Sequence, residues 1–454
     1  MSKTISLKRG LDIRLVGEAE KITHDAPRAK YYAVRPTDFH GLTPKMLVKV
    51  GDAVKAGTII FQDKYNESIA YASPVSGTIH DIVRGEKRRI LDVIIEAAAS
   101  DDYESKNVVN PTSASAEEVK QCLLDSGLWP LIKQRPFDIV ADPAQEPKAI
   151  YISSFDSAPL APDYDYVLHG MNAEFQMGVN ALKHLTAGAV HLGMNAKVKQ
   201  DDVFTSVQQV TKTAFSGKHP AGNVGVQIHH TNPINKGEFV WVVNAQDVAI
   251  IGRFFMTGKF DLTKLVALTG SETKAPKYYR TIAGSQLSTL VENNTKQEAE
   301  ERIISGNALC GTKETASSYL GFYDNQVTVL PEGNQMKFLL SEGWLSPGLN
   351  KFSNSRLYPT FLFPNKKYRL DTNLNGEDRG FVVTGELEKV FPFDIYPMQL
   401  IKAAMTEDID LMESLGIYEV SPEDFALCEF VCTSKINIQD EIRAGLDLIK
   451  KECF

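Results

Sequence analysis

Near residue 100 the periodicity of the chain changes, and this limits the fold more than any single motif. Before that point short β-branched runs alternate with turn signals, and no helical spacing appears. The runs are VKVGDAVKAGTIIF (48–61), IAYASPVSGTIHDIV (69–83) and RRILDVIIE (88–96), parted by a polar tip at 63–68 and by Arg84-Gly85. Gly51, Gly57 and Gly77 stand where tight turns call for glycine. Evenly spaced short strands predict a small barrel or sandwich.

The stretch 98–118 is polar and has the composition of a linker. Pro111-Thr112-Ser113 then offers a start for a helix through 117–128. Strands are expected at 148–155, 189–194 and 223–234, with helical segments at 174–185 and 203–215, which is the alternation of a parallel α/β sheet. LTKLVALTG, 275–291 and 302–312 read as strands around one short helix, a compact β-grasp-like unit. Beyond 336 the pattern mixes strands with later helices, the clearest at 393–416 and 437–451. The expected divisions are 1–100, 101–252, 253–335 and 336–454.

Several function classes fall away on bulk properties. A chain of net charge −8 without a long Lys/Arg run is poorly suited to nucleic acid or to anionic lipid. No apolar window is long enough for a membrane-spanning helix, and the first residues lack the apolar core of a secretory signal. The five cysteines are scattered and odd in number, which argues for a reducing compartment rather than a disulfide framework. Only Cys428 and Cys432 lie close together, spaced C-x3-C, too few for an iron–sulfur cluster or a structural zinc site. GKHPAGNVG (217–225) is the nearest approach to a phosphate-binding loop, but it is expected to precede a strand, the wrong context. GNALCGTK (306–313) has its lysine displaced from the P-loop position. His229 and His230, adjacent in that expected strand, point to opposite faces and cannot chelate one ion.

Two resemblances add to this. The segment 48–83 resembles the barrel-sandwich scaffold of lipoyl and biotinyl domains, in which a lysine at a hairpin tip carries the prosthetic group. Here the tip falls near Asn66 and the nearest lysine is Lys64, so a carrier modified at Lys64 is one alternative. Along the whole chain, KRGLDI (8–13), VRGEKR (83–88), DSGLW (125–129) with RPF (135–137), KHPAGNVGVQIH (218–229), RIISGNALCGT (302–312), PGLNKFS (347–353), NGEDRGFV (375–382), LEKVFPFDIYP (387–397) and EDFALCEFVC (423–432) occur in family order. Together they resemble the NqrA family, one of the components of Na+-translocating NADH:quinone reductases, with the C component of Rnf complexes and the flavin component of respiratory complex I as relatives.

That resemblance implies a barrel-sandwich hybrid, a Rossmann-like α/β domain, an SLBB-like β-grasp domain and a C-terminal helical region. It implies a peripheral subunit on the cytoplasmic face of the bacterial inner membrane, beside NqrB, NqrC, NqrD, NqrE and NqrF, and docked most directly on NqrB. NAD, FAD, FMN and a 2Fe-2S centre would belong to those other subunits. This chain would hold no tight cofactor and would assist the semiquinone-to-quinol step on ubiquinone or menaquinone. A quinone ring needs an apolar slot, aromatic faces and donors to its oxygens. Two loops offer them: 31–41, with Tyr32, Arg35, Phe39 and His40, and 128–138, with Trp129, Lys133, Arg135 and Phe137. The same side chains would equally serve packing or docking between subunits. A self-sufficient flavin/NADH dehydrogenase is the other alternative.

Overall fold

The computed structural model describes residues 3–297, 300–343, 345–354 and 356–454. Two small antiparallel sheets make the barrel-sandwich. One runs in the order Tyr31–Val34, Ile90–Ala97, Gly77–Arg84, Ala53–Val54, and the other Pro44–Met46, Ile59–Asp63, Ala70–Ala72. Ile60, Phe61, Tyr71, Val75, Ile79, Val93 and Ile95 fill the space between them. Gly51 and Gly57 have φ of 92° and 94°, the left-handed region that turns demand. Gly77 differs from expectation. It opens a strand, and a side chain there would collide with the Glu96 carbonyl across the ladder.

The first 25 residues serve other sheets. Lys3–Ser6 lies parallel to Thr211–Ser216, and Glu20–Asp25 parallel to Lys277–Ile282. The α/β sheet has the order Lys3–Ser6, Thr211–Ser216, Val190–Asn195, Ile150–Ser153, Val240–Val242, all parallel, then Lys133–Arg135, which runs against them, and Ile139–Val140, antiparallel to Lys133–Arg135. Helix Ala116–Ser126 leads into it and starts at Ser115 in a capping box with Glu118, two residues beyond the expected signal. Helices Asn172–Lys183 and Ala245–Thr257 cross where Gly178 meets the Val248 carbonyl and Gly252 the Glu174 carbonyl.

Two segments of this sheet depart from the sequence reading. Residues 203–215 split into a turn of helix, Asp202–Thr205, and the strand Thr211–Ser216. Residues 224–231, expected as strand, form a helix, so His229 and His230 are neighbours on a helical surface and not on opposite faces of a sheet. Both reach the C-terminal region. His229 Nδ1 lies 2.6 Å from Glu419 Oε2, and its Nε2 accepts from the Asp394 amide at 2.9 Å. His230 Nε2 lies 2.8 Å from the Pro392 carbonyl.

The β-grasp sheet has the order Thr312–Glu314, Glu301–Ser305, Gln326–Pro331, Thr263–Thr269, Lys277–Ile282, Glu20–Asp25, with Ser288–Val291 as its short helix. Past Pro331 no strand occurs among the described residues, contrary to the expected mixture. Between Pro331 and Leu387 the described residues form one 3-10 turn, Pro359–Leu362, and from Leu387 the chain forms helices. The run 393–416 breaks into Pro397–Met405 and Ile409–Ser414, because Glu407 takes φ of 55° and Asp408 caps the second helix. Helix Ile438–Cys453 buries Ile438, Ile442, Leu446 and Ile449, a stripe at helical spacing. The five cysteines are free thiols.

Candidate functional site at the switch point of the parallel sheet

In chain order the parallel strands run outward from Ile150–Ser153 through Val190–Asn195 to Thr211–Ser216, then jump back to Val240–Val242 on the other side of the first. Such a reversal opens a crevice beyond the carboxyl ends of the two strands that flank it, the usual ligand position in open α/β sheets. A cavity of about 280 Å³ lies there. Ser153 ends one strand and Phe155 and Asp156 follow it, and Val243 and Asn244 follow the other. Gly222, Asn223 and Val224 bring the start of helix Val224–Thr231. The β-grasp unit covers it with Gly306–Gly311 and Tyr323–Gln326, and Leu131, Lys133, Arg135 and Asp138 close the side.

GKHPAGNVG therefore opens a helix, not a strand. Gly222 is required by packing, since a Cβ there would lie 2.6 Å from the Ser157 amide. Its own amide donates to Ser157 Oγ at 2.8 Å. His219 is buried, donates its amide to Asp12 at 2.8 Å, and sits 3.1 Å from Ser157 Oγ. Burial pushes its pKa down to about 4. The first turn of the helix faces acid. A Cβ on Gly225 would lie 2.6 Å from the Asp424 carboxylate and 2.7 Å from Arg135 Nη1. Asp424, which accepts from Arg135 Nη1 at 2.8 Å and from the Ser421 amide at 2.9 Å, leaves no room for a side chain at that position.

The two candidate loops contribute unequally. Of the second, Lys133 and Arg135 line the cavity and Trp129 and Phe137 do not. Lys133 Nζ lies 2.7 Å from Asp138 Oδ1 and 5.0 Å from the Tyr323 ring centre. Burial works against the charge of Arg135, yet Asp424, at 2.8 Å, and Glu423 hold its pKa above the ordinary arginine value. Trp129 is fully buried, donates Nε1 to the Ala141 carbonyl at 2.7 Å, and meets Trp241 edge-on. Phe137 packs against Phe454.

No residue of the first loop lines the cavity. Tyr32 is buried and accepts from the Ala29 amide at 3.2 Å. Arg35 donates to Glu314 at 2.6 Å and to the Tyr319 carbonyl at 3.2 Å. His40 is exposed, 2.7 Å from Asp447. Phe39 is buried against Tyr71, Phe322 and Tyr323. The two loops nevertheless meet through the 322–323 pair. Asp38 accepts from the Phe322 amide at 2.9 Å, and Tyr323 donates its hydroxyl to the Pro130 carbonyl at 2.7 Å.

Sequence reasoning missed Phe155, Tyr164, Asn244, Asp247 and Tyr323. Phe155 and Asn244 stand just past strand ends, in SSF (153–155) and WVVN (241–244), whereas Tyr164, Asp247 and Tyr323 carry no such local signal. Asp247 is buried, and burial raises its carboxyl to about 6 despite the nearby Lys264. Tyr164 accepts from Asn244 Nδ2 at 2.9 Å. The cavity thus offers three aromatic faces, of Phe155, Tyr164 and Tyr323, and the Lys133 ammonium paired with Asp138.

A barrel-sandwich, a doubly wound α/β sheet with a switch-point cavity, a β-grasp roof and a helical C-terminal region place the chain among the multidomain α/β proteins. Residues 5–98 match the family model of the NqrA N-terminal barrel-sandwich hybrid domain, 114–260 the NqrA second alpha/beta domain, and 265–316 the NQRA C-terminal domain. The chain is 36% identical to the A subunit of the Na+-translocating NADH-quinone reductase of Rhodopirellula baltica, covering 98% of each chain. It is 36% identical to that of Hahella chejuensis and 37% identical to that of Glaesserella parasuis, covering 99% of this chain and 100% of each relative. An NAD+-reducing [NiFe]-hydrogenase structure aligns with 49% of this chain and 48% of its own at 13% identity, with a TM-score of 0.34 too low to carry an argument. The chain belongs to the NqrA family.

Proposed function

We propose that this chain is the peripheral NqrA component of a Na+-translocating NADH:quinone reductase, and that its switch-point cavity takes a quinone ring. The cavity, walled by Phe155, Tyr164 and Tyr323, carries the reading. Lys133 Nζ would donate to one quinone oxygen, and the slot would exclude water around the ring. Reduction to quinol takes up two electrons and two protons. The electrons would come from NADH through flavins and an iron–sulfur centre in the other subunits, NqrB to NqrF. Coupling to Na+ export would lie with the assembled complex on the cytoplasmic face of the inner membrane, with NqrB as the nearest partner. Trp129 and Phe137 would set the geometry of the second loop, while Phe39 would brace the 322–323 pair and Arg35, Tyr32 and His40 would hold the first loop to Glu314, Ala29 and Asp447.

Titration of the isolated chain with a short-chain quinone tests this. Loss of a hydrogen bond from a charged donor predicts a 10- to 100-fold weakening, to order of magnitude, in Lys133→Ala. Phe39→Ala is expected to bind within a few-fold of the unsubstituted chain. If Phe39→Ala loses binding while Lys133→Ala keeps it, the ring sits at the first loop. If neither matters, both loops leave the site. The purified chain is expected to be colourless; flavin absorbance would favour the dehydrogenase alternative.

A further inference from the structure

Residues 343–370 contain Lys351, Arg356, Lys366, Lys367 and Arg369 and no carboxylate, within a chain of net charge −8. Its described residues fold back on one another. Lys351 Nζ donates to the Gly343 carbonyl and Lys366 Nζ to the Leu349 carbonyl, each at 2.6 Å, and Thr360 Oγ1 to the Lys351 carbonyl at 3.0 Å. Its root is fixed: Tyr368 is buried and bonded to the Arg14 carbonyl and the Val16 amide, and Arg369 forks onto Glu272 at 2.7 and 2.9 Å. Lys367 is neutralised by Glu18 at 2.7 Å.

The tip is different. Lys351 lies over the Tyr358 ring and Arg356 over Phe361, at 5.2 and 5.8 Å, and Lys366 donates to the Leu349 carbonyl and to the Asn350 side-chain oxygen. Arg356 thus stands over Phe361 and Lys366 on the Leu349 carbonyl, in a stretch where Leu345, Leu349, Phe361, Leu362 and Phe363 are each 44 to 61% exposed. Large apolar side chains left in water beside unneutralised cations are the signature of a water–lipid interface. An acidic chain is repelled by an anionic bilayer except where positive charge is concentrated within a Debye length of the surface.

We propose that this protrusion seats on a bilayer surface bearing anionic phospholipid, with Leu349, Phe361 and Leu362 entering the headgroup layer and Lys351, Arg356 and Lys366 facing lipid phosphates. No helix among the described residues is long and apolar enough to cross a membrane, so the contact is one of surface. It is independent of quinone binding.

Co-sedimentation of the full chain with vesicles tests it, comparing phosphatidylcholine alone with phosphatidylcholine containing about one-third phosphatidylglycerol at low and high salt. The chain is expected to bind the anionic vesicles and to release at high salt. The Lys351→Gln/Arg356→Gln/Lys366→Gln variant should partition about 100-fold more weakly, since each basic residue contributes about one factor of five. Leu349→Ser/Leu362→Ser should lose binding while melting at the unsubstituted temperature. Equal binding to both vesicle types, or none to either, overturns the proposal. So does detachment of these variants from the assembled complex when the unsubstituted chain ignores vesicles, since a protein then covers the tip.

Discussion

His219 and Arg135, on two walls of the cavity, are held by opposite electrostatics. His219 is neutral in the fold because burial lowers its pKa to about 4, against Asp12, whose charge works the other way. The unfolded chain binds that proton near the ordinary histidine value, so between roughly pH 6.5 and 4 unfolding takes up a proton. Stability is therefore expected to fall as pH drops through that window, by at most about 3 kcal/mol from this group. Urea midpoints from neutral to acid pH check it, and His219→Asn should flatten the profile. Arg135 is charged and almost wholly enclosed, so Arg135→Ala strands the buried Asp424, while Glu423 keeps its contact with water. A loss of about 3–5 kcal/mol is expected, and Arg135→Lys should recover only part of it, because a lysine cannot fork to two carboxylates. Equal stability of all three proteins in chemical denaturation would refute this account of the pair.

Among the elements, the crossing of helices Asn172–Lys183 and Ala245–Thr257 depends on two hydrogens. With Gly178 and Gly252 each against a backbone carbonyl of the other helix, no side-chain rotation relieves a clash. Gly252→Ala is expected to push the helices apart at a cost of about 1–3 kcal/mol, read as a lower melting temperature. The Ser115 cap is a milder case. Its Oγ accepts from the Glu118 amide at 3.3 Å and Glu118 returns to the Ser115 amide at 2.8 Å, so Ser115→Ala should cost about 1 kcal/mol. Helix Val224–Thr231 shows why elements near the site resist reading from sequence. Val224, Val226 and Ile228 alternate with polar or small residues, a period-2 pattern that matches a strand. Gly222 and Gly225 allow Ser157 and the Arg135–Asp424 pair to approach, and that packing sets the helix against local propensity.

At the scale of the whole molecule, the first 25 residues tie the units together. They give an edge strand to the α/β sheet and another to the β-grasp sheet, and Leu7, Leu11, Ile13 and Leu15 join the core that holds the C-terminal helices. Removal of residues 1–25 is expected to expose two sheet edges and open that core, giving aggregation in size-exclusion chromatography rather than a smaller, compact protein. A soluble, monomeric truncation with native melting would show that the strands are decoration.

The sequence by itself determined the barrel-sandwich strands within 53–97, the helix before the α/β sheet, the amphipathic C-terminal helix and the ordered motifs of the family, but not the strands Tyr31–Val34, read as part of a loop, and Pro44–Met46. Each feature it determined is written in local turn chemistry, side-chain period or residue order along the chain. Lys133 and Arg135 were legible as charged residues in an aromatic loop. Only the tertiary structure decided that they meet Phe155, Tyr164 and Tyr323, and that Trp129, Tyr32 and Phe39 are enclosed elsewhere. The cavity arises where strand order reverses and a separate sheet closes over it. Contacts across more than a hundred residues of chain leave no local period to read.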